Sequence, residues 1–399
     1  MIRHLLKLVW NRKRSTALLM AEIAASFLVV FGVVAFALHA LANWNRPLGY
    51  DWRDVWALDI DMNVTTDDDW TPEQVQTFRD LLAAARELPR VQAAAGIFSM
   101  PYDFSTSNGS VEYQKRSTYA LVNEVTDDLQ QVLGLRLVAG RWFGREDDGA
   151  AIPPVVINRQ LARFLFEEEE PIGKVFDRGG DEVRVVGVID EFRQHGELAS
   201  PEPYVFRRVR VDGSTGEDAD RPPRQLVLRM APGTPASYEL AVLERLGRVA
   251  PEWSLEVQPL ASLRDRRLRL GMTPLVIGAT VGAFLLLMVA LGLLGVLWQN
   301  VTRRTRELGL RRAVGASLQA IRRQVLLELL LVASLAVLPA LVLVLQLPLL
   351  EVIESLTTGV FAAAVVGALV LIYGLCIVCG LYPARIATRL EPAEALRWE

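Results

Sequence analysis

The sequence predicts a membrane protein with four transmembrane α-helices and a large extracytoplasmic α+β domain built from two subdomains. Three observations carry this reading. Four apolar runs, roughly Ala17 to Leu41, Met272 to Trp298, Val325 to Leu347 and Thr358 to Leu381, are long enough to cross a hydrocarbon core of ~30 Å, which takes about 20 helical residues. Basic residues cluster on one side of them: Arg3, Lys7, Arg12, Lys13 and Arg14 before the first run, Arg303 to Arg323 between the second and third, and Arg385, Arg389 and Arg397 after the fourth. Between Asn43 and Gly271 the balance reverses, with 28 Lys and Arg against 38 Asp and Glu, whereas the rest of the chain holds 15 against 8. By the positive-inside rule both termini and the second-to-third connection are cytoplasmic, and the middle segment is outside. A content of 51% hydrophobic residues alongside 22% charged ones fits two environments.

In chain order, residues 1–14 read as a cytoplasmic amphipathic helix on the inner leaflet, with Ile2, Leu5, Leu6, Val9 and Trp10 set against Arg3, Lys7 and Arg12. Residues 15–41 form the first span. Its apolar stretch is longer than the roughly 7–15 residues of a signal-peptide core, which disfavours cleavage after Ala40-Leu41-Ala42. The extracytoplasmic segment is 42–270. Strand-like Val55 to Ile60 precedes a helix that Thr71 can cap and Pro72 can open, running to about Leu88. A second such unit follows late: Gln225 to Met230, Pro235 to Val249 and Ser254 to Gln258. These units imply a discontinuous domain, 42–100 and 204–270, around an inserted subdomain, 101–203, rich in short β-like stretches at Tyr119 to Val122, Val155 to Ile157 and Val183 to Ile189. Glu217 to Pro223 reads as a mobile loop. Residues 272–299 form the second span, 300–323 a cytoplasmic elbow, 324–347 the third span, 348–357 a short external loop with Glu351 and Glu354, 358–382 the fourth span and 383–399 a cytoplasmic tail. Arg264, Arg266, Arg267 and Arg269 run against the charge rule, but long external segments translocate largely regardless of charge.

Absences bound the chemistry. His4, His39 and His195 show no zinc-ligand spacing, so no metal site is expected. Without a Gly-x-x-x-x-Gly-Lys-Ser/Thr loop the chain is not expected to be an enzyme or to hold a nucleotide itself. Cys376 and Cys379 fall inside the fourth run, where packing is a better account than redox work. The runs Glu167 to Glu170 and Asp67 to Asp69 read as solvated loops. Glu22 and Glu328 lie within spans, where ionisable groups are costly; an interhelix hydrogen bond or an approach to the Arg-rich inner face explains them best. Gly278 and Gly282 form a Gly-x-x-x-Gly that permits close helix approach.

The most specific stretch is cytoplasmic, Arg303 to Gln324. Glu307 can meet Arg303 and Arg311 at i±4, Gly315 can end that helix and Ser317 can cap a second one that feeds the third span. A loop that merely anchors to anionic headgroups is the bland alternative. Leu308, Leu310, Ala313 and Val314 argue for a docking surface instead.

This stretch resembles the hallmark of the FtsX-like permeases, from the macrolide-exporter and lipoprotein-releasing superfamily of ABC transporters, approximately Arg-x-x-Glu-Ile-Gly-x-x-Arg-Ala-x-Gly-Ala-Ser. It reads here from Arg304 to Ser317, with Leu308 in place of Ile. The ending from Tyr382 to Arg397 is similar to that family's Pro-Ala-x-x-Ala-x-x-x-x-Pro-x-x-Ala-Leu-Arg, and Gly134 to Phe143, Pro171 to Lys174 and Val185 to Ile189 resemble its periplasmic core domain. The resemblance implies porter-like and insertion-like subdomains on a transmembrane dimer in the inner membrane. It places Arg304, Arg306, Glu307, Gly309, Arg311, Gly315 and Ser317 at the coupling to the ATPase. Two copies of a separate ABC ATPase, carrying ATP and Mg, would drive a pair of permease chains, identical or homologous, with a periplasmic adaptor and membrane lipid as further partners; nothing points to nucleic acid. The chain is expected to depart from the macrolide exporter proper in lacking a fused N-terminal ATPase domain. Three functions remain open: export of peptides, antibiotics or small hydrophobic molecules, extraction of lipoproteins or lipids, and regulation of an external wall hydrolase without transport.

Overall fold

The computed structural model describes residues 13–62, 71–210, 223–303, 317–348 and 356–389. It divides into one unit of residues 1–42 with 272–399 and a second of residues 43–271. Most of the amphipathic segment 1–14, the loop Glu217 to Pro223 apart from its last residue, most of the external loop 348–357 and the last ten residues lie outside the described residues.

The first helix, α1 (Lys13–Trp44), is followed in the second unit by β1 (Val55–Asp61), α2 (Pro72–Arg86) and β2 (Val91–Ile97). Thr71 caps α2 in a capping box: its side chain accepts from the Gln74 amide while the Gln74 side chain accepts from the Thr71 amide. Next come β3 (Ser107–Tyr113), β4 (Arg116–Val125), α3 (Leu129–Leu133), β5 (Leu137–Gly140), β6 (Pro154–Asn158), α4 (Arg159–Phe166), β7 (Val175–Arg178), β8 (Asp181–Ile189) and β9 (Tyr204–Arg208). The unit closes with β10 (Gln225–Met230), α5 (Glu239–Gly247) and β11 (Ser254–Pro259).

These strands make two arrangements. Four of them, β11-β1-β10-β2, form an antiparallel sheet from the flanking sequence, whose strand pairing with the rest, among the described residues, is that of Ile97 with Val125 of β4. Both faces of this sheet are covered. Val55 and Ala57 enter one core with Ala95, Val227, Tyr204 and Phe206, and Trp56, Leu58 and Ile60 enter another beneath Phe78 and Leu81 of α2 and Val242 and Leu246 of α5. The partial alternation of Val55 to Ile60 has its cause here, since a strand buried on both sides has no polar face to show.

The inserted part closes on itself. Neighbouring strands run β4-β3-β7-β8-β6-β9, and β9 pairs in parallel with β4, completing a ring of six strands with β5 attached to β8. Closure leaves the six ring strands without an open edge, and only the short β5 stands outside the ring. Leu161, Leu165 and Phe166 of α4 fill its interior with Val111, Val155, Phe176 and Val185. β9 begins at Tyr204, so the inserted part extends past the expected boundary at 203; ring closure needs that strand, and its partners are remote in sequence.

In the other unit α1 meets α6 (Leu260–Arg303), α7 (Leu318–Gln346) and α8 (Thr358–Arg389). The segments Ala17–Trp44, Leu260–Gln299, Arg322–Gln346 and Thr358–Leu381 are each long and apolar enough to cross a membrane. In lipid, helices hold together by close packing and polar bonds rather than by a hydrophobic drive. A Cβ at Gly367 of α8 would sit 3.1 Å from Val34 of α1, Phe31 and Phe361 meet edge to face with ring centres 5.6 Å apart, and Ser334 of α7 shares a 2.8 Å hydrogen bond with Tyr373 of α8. Cys376 and Cys379 are buried in this core. α6 starts at Leu260, well before the apolar run at Met272, because Leu260 is already fully buried in the external unit's core. Likewise α8 continues past Leu381 to Arg389.

Candidate functional site

Within the external unit, three stretches meet where the chain leaves α1 and enters α6: the segment from Asn43 to Trp52, the loop from Phe192 to Ala199 and the first turns of α6. The centre is Arg193, whose side chain is almost wholly buried. Its guanidinium donates to four carbonyl oxygens, those of Asn43 at 3.0 Å, Arg46 at 3.1 Å, Glu197 at 2.8 Å and Ala199 at 2.6 Å. Asn43 lies in the last turn of α1, where carbonyls lack helical partners and the helix dipole favours a cation. Burial pulls the guanidinium pKa below its ordinary value, yet an arginine stays charged near neutral pH.

The backbone reinforces this clamp. The Arg193 amide donates to Leu48 O at 3.0 Å, and the Tyr50 hydroxyl donates to Arg193 O at 3.3 Å. Gly49 has φ +86°, and a Cβ there would fall 1.6 Å from the carbonyl oxygen of Glu191, so this approach requires glycine. Phe192 packs on Tyr50, Tyr204 and Phe206 with ring centres 5.1, 4.6 and 4.9 Å apart. Gln194 donates to Ser99 Oγ at 3.0 Å and to Met100 O, and accepts from the Tyr204 hydroxyl at 2.8 Å, tying the loop to the strand ring. Burial raises the Tyr50 phenol well above its ordinary value, with Tyr102 and Glu197 adding to the shift and Arg193 opposing it, and burial raises the Tyr204 phenol as well.

The third stretch joins through charge. Glu197, 6% exposed, accepts from Arg264 Nε at 2.5 Å, and the Arg264 guanidinium stacks on Trp52 at 4.6 Å. Arg267 stacks on Phe104 at 4.3 Å and meets His195 Nδ1 at 3.1 Å, while Arg266 donates to Gln258 at 2.9 Å. Arg264, Arg266 and Arg267, which run against the charge rule, are thus occupied within their own domain. One loop holds both chain connections through directional bonds, and the site brings together no metal-binding set among the described residues.

His195 gives this junction a pH response. Burial, and secondarily Arg267, hold the imidazole below its ordinary value, so the folded state prefers it neutral. Unfolded histidine titrates near pH ~6.5. The associated stability is complete above that pH and is lost as the pH falls through the lower folded value. Glu202, 3.6 Å from His195 Nε2 and raised by burial, acts in the opposite sense at acid pH. In thermal melts between pH 7.5 and 5.5, His195→Gln should lose less stability on acidification than the parent; parallel curves would contradict this assignment.

Sequence reasoning singled out other residues. In α6, a Cβ on Gly278 would meet Val33 of α1 at 3.0 Å and one on Gly282 would meet Val29 at 3.8 Å. Glu22, half-buried, has its Oε2 3.2 Å from where a Cβ on Gly292 would lie. Glu328 accepts from Gln324 of its own helix at 3.3 Å. Ser317 immediately precedes α7, and Arg304, Arg306, Glu307, Gly309, Arg311 and Gly315 lie outside the described residues. The sequence reading missed Arg193, Gln194 and Glu197. Their only signals are a charged, histidine-containing loop after an apolar strand and the glycines Gly49 and Gly196, both at positive φ.

Two family models match the chain: the MacB-like periplasmic core domain over residues 16–237 and the FtsX-like permease C-terminal over residues 279–392. A macrolide export ATP-binding/permease protein MacB of Bdellovibrio bacteriovorus is 27% identical over 74% of this chain and 46% of its own length. An uncharacterized ABC transporter permease, YvrN of Bacillus subtilis, is 28% identical over 74% of each chain. The chain spans about half the length of the macrolide-export relatives it matches. Among solved structures, the periplasmic region of MacB from Actinobacillus actinomycetemcomitans aligns with TM-score 0.39 and 13% identity, covering 56% of this chain and 97% of that one. With most of its length matched by the two models, the chain belongs to the FtsX-like ABC transporter permeases that carry a MacB-like periplasmic core domain.

Proposed function

We propose that this permease passes ATP-driven movement of separate nucleotide-binding subunits to its extracytoplasmic domain, and that the movement exports peptides, antibiotics or small hydrophobic molecules through a periplasmic adaptor. The observation that supports this most is the junction itself: Arg193 holds the chain at the end of α1, and Glu197, four residues on, holds Arg264 at the start of α6. Displacement of either connection therefore loads the same loop. Export as the outcome follows the names of the macrolide-export relatives. The basic clusters support cytoplasmic termini in the inner membrane. Two permease chains, identical or homologous, would meet two ATPase subunits that supply ATP and Mg, as closed two-fold assemblies are the common solution. Arg304, Arg306, Glu307, Gly309, Arg311, Gly315 and Ser317 would form the docking elbow.

Affinity purification from cross-linked native membranes tests the reading. An ABC ATPase and a periplasmic adaptor should co-purify, and ATP turnover should appear only with the ATPase present. A stoichiometric lipoprotein or wall hydrolase in place of the adaptor would contradict export.

A further inference from the structure

A cavity of about 420 Å³ opens beside the junction, with Trp44, Arg46, Trp52, Arg53, Glu197 and Arg264 among its lining. Its charges do not cancel. Glu197 is taken by Arg264, and Asp51, also on the wall, is taken by Arg229 at 3.3 Å. Arg46 and Arg53 have no carboxylate partner among the described residues, and Arg53 lies 5.2 Å over the Trp52 ring that also carries Arg264. Two uncompensated guanidinium groups in one concavity call for an anion whose oxygens can accept several N–H bonds, and phosphate is the group that arginine forks match best.

The chain position says where that phosphate comes from. Trp44 is the last residue of α1, just beyond the apolar run that ends at Leu41. Arg264 lies about 12 Å along α6 from Met272, at ~1.5 Å per residue. Headgroup layers are roughly 5–8 Å deep on each side of the hydrocarbon, and tryptophans concentrate there. Arg46 follows Leu41, the end of the apolar run, by only five residues, so chain continuity keeps it near that layer. We propose that this cavity holds the phosphate of an outer-leaflet phospholipid, with Arg46 and Arg53 donating to its oxygens and Trp44 and Trp52 against the glycerol end. The bound lipid braces the same segment, Asn43 to Arg53, whose carbonyls Arg193 holds from inside. The proposal needs only an extracytoplasmic domain, so it stands or falls separately from any coupling to an ATPase.

The test uses the full chain purified in alkyl maltoside, with native mass spectrometry of retained lipid. The probes are phosphatidylglycerol and a phosphate-free diglucosyl diacylglycerol of the same acyl chains. The parent should retain phosphatidylglycerol in preference to the glycolipid. Arg46→Gln with Arg53→Gln should weaken that retention by about fivefold per arginine removed, and Arg46→Lys with Arg53→Lys, which keeps the charge and loses the fork, should fall between. Arg145→Gln with Arg163→Gln removes equal charge from exposed positions elsewhere in the domain and should change nothing. Equal retention by the Arg46/Arg53 pair and the Arg145/Arg163 pair overturns the site. Displacement by soluble glycerol 3-phosphate at the concentrations at which phosphatidylglycerol binds overturns the lipid assignment and gives the cavity to a soluble phosphate.

Discussion

Arg193→Met is expected to lower the thermal midpoint of the extracytoplasmic domain by about 10 °C. The substitution keeps an unbranched apolar stem in place and removes every donor, leaving the carbonyls of Asn43, Arg46, Glu197 and Ala199 without their shared partner. A hydrogen bond to a charged group is worth about 1.5–3 kcal/mol, and the buried Glu197 carbonyl left bare adds a desolvation penalty of similar size, whereas Asn43 O keeps the Arg46 amide at 3.1 Å. Relief from burying the guanidinium charge offsets part of the sum. A net loss of about 3–5 kcal/mol remains, and in a domain of this size each kcal/mol moves the midpoint by about 2–4 °C. Arg193→Lys should recover little, because one ammonium cannot reach four carbonyls that surround a planar fork. Differential scanning fluorimetry of the full chain in detergent reads both variants. A midpoint within 2 °C of the parent for Arg193→Met would mean that the clamp carries no load.

The second large effect falls on function and leaves stability almost untouched. Glu307→Arg should reduce transport and partner-stimulated ATP turnover by at least tenfold while expression and the external fold persist. On the proposal that Glu307 pairs with Arg303 and Arg311 in a docking helix, an exposed i,i+4 pair would contribute only about 0.2–0.5 kcal/mol, so exchanging attraction for repulsion would spare that helix and spoil the proposed docking face. Gly315→Pro should be as severe by another route, since proline fixes φ near −65° where a helix C-cap takes a positive value. Under the headgroup-anchor alternative Glu307→Arg should be harmless, because the variant is more basic. Vesicle transport and ATPase assays on the same preparation separate the two accounts.

Much of the architecture was legible from local pattern. The spans announce themselves by length, Thr71-Pro72 by its capping chemistry, and β10 from Gln225 to Met230 by its apolar residues. What was not legible depends on partners remote in sequence. Nothing in Tyr204 to Arg208 says that this strand pairs with β4 on one side and β6 on the other, which is what closes the ring. A buried Arg193 looks in sequence like any surface arginine, because only its surroundings reveal the four carbonyls it serves. Arg264 and Arg267 showed as an exception to the charge rule, and the exception was the signal: arginines kept on the external side are stacked on Trp52 and Phe104.

Under the proposed function, ATP-driven movement reaches the external domain. A nitroxide at Tyr119→Cys, an exposed strand position, in a background with Cys376 and Cys379 replaced by alanine, reports the distance between the two permease chains of the reconstituted complex by pulsed electron resonance. Trapping ATP in the partner subunits should shift that distance distribution, and the shift should vanish in Glu307→Arg although nucleotide still binds. An identical distribution with and without trapped ATP, in a complex that transports, would contradict the account.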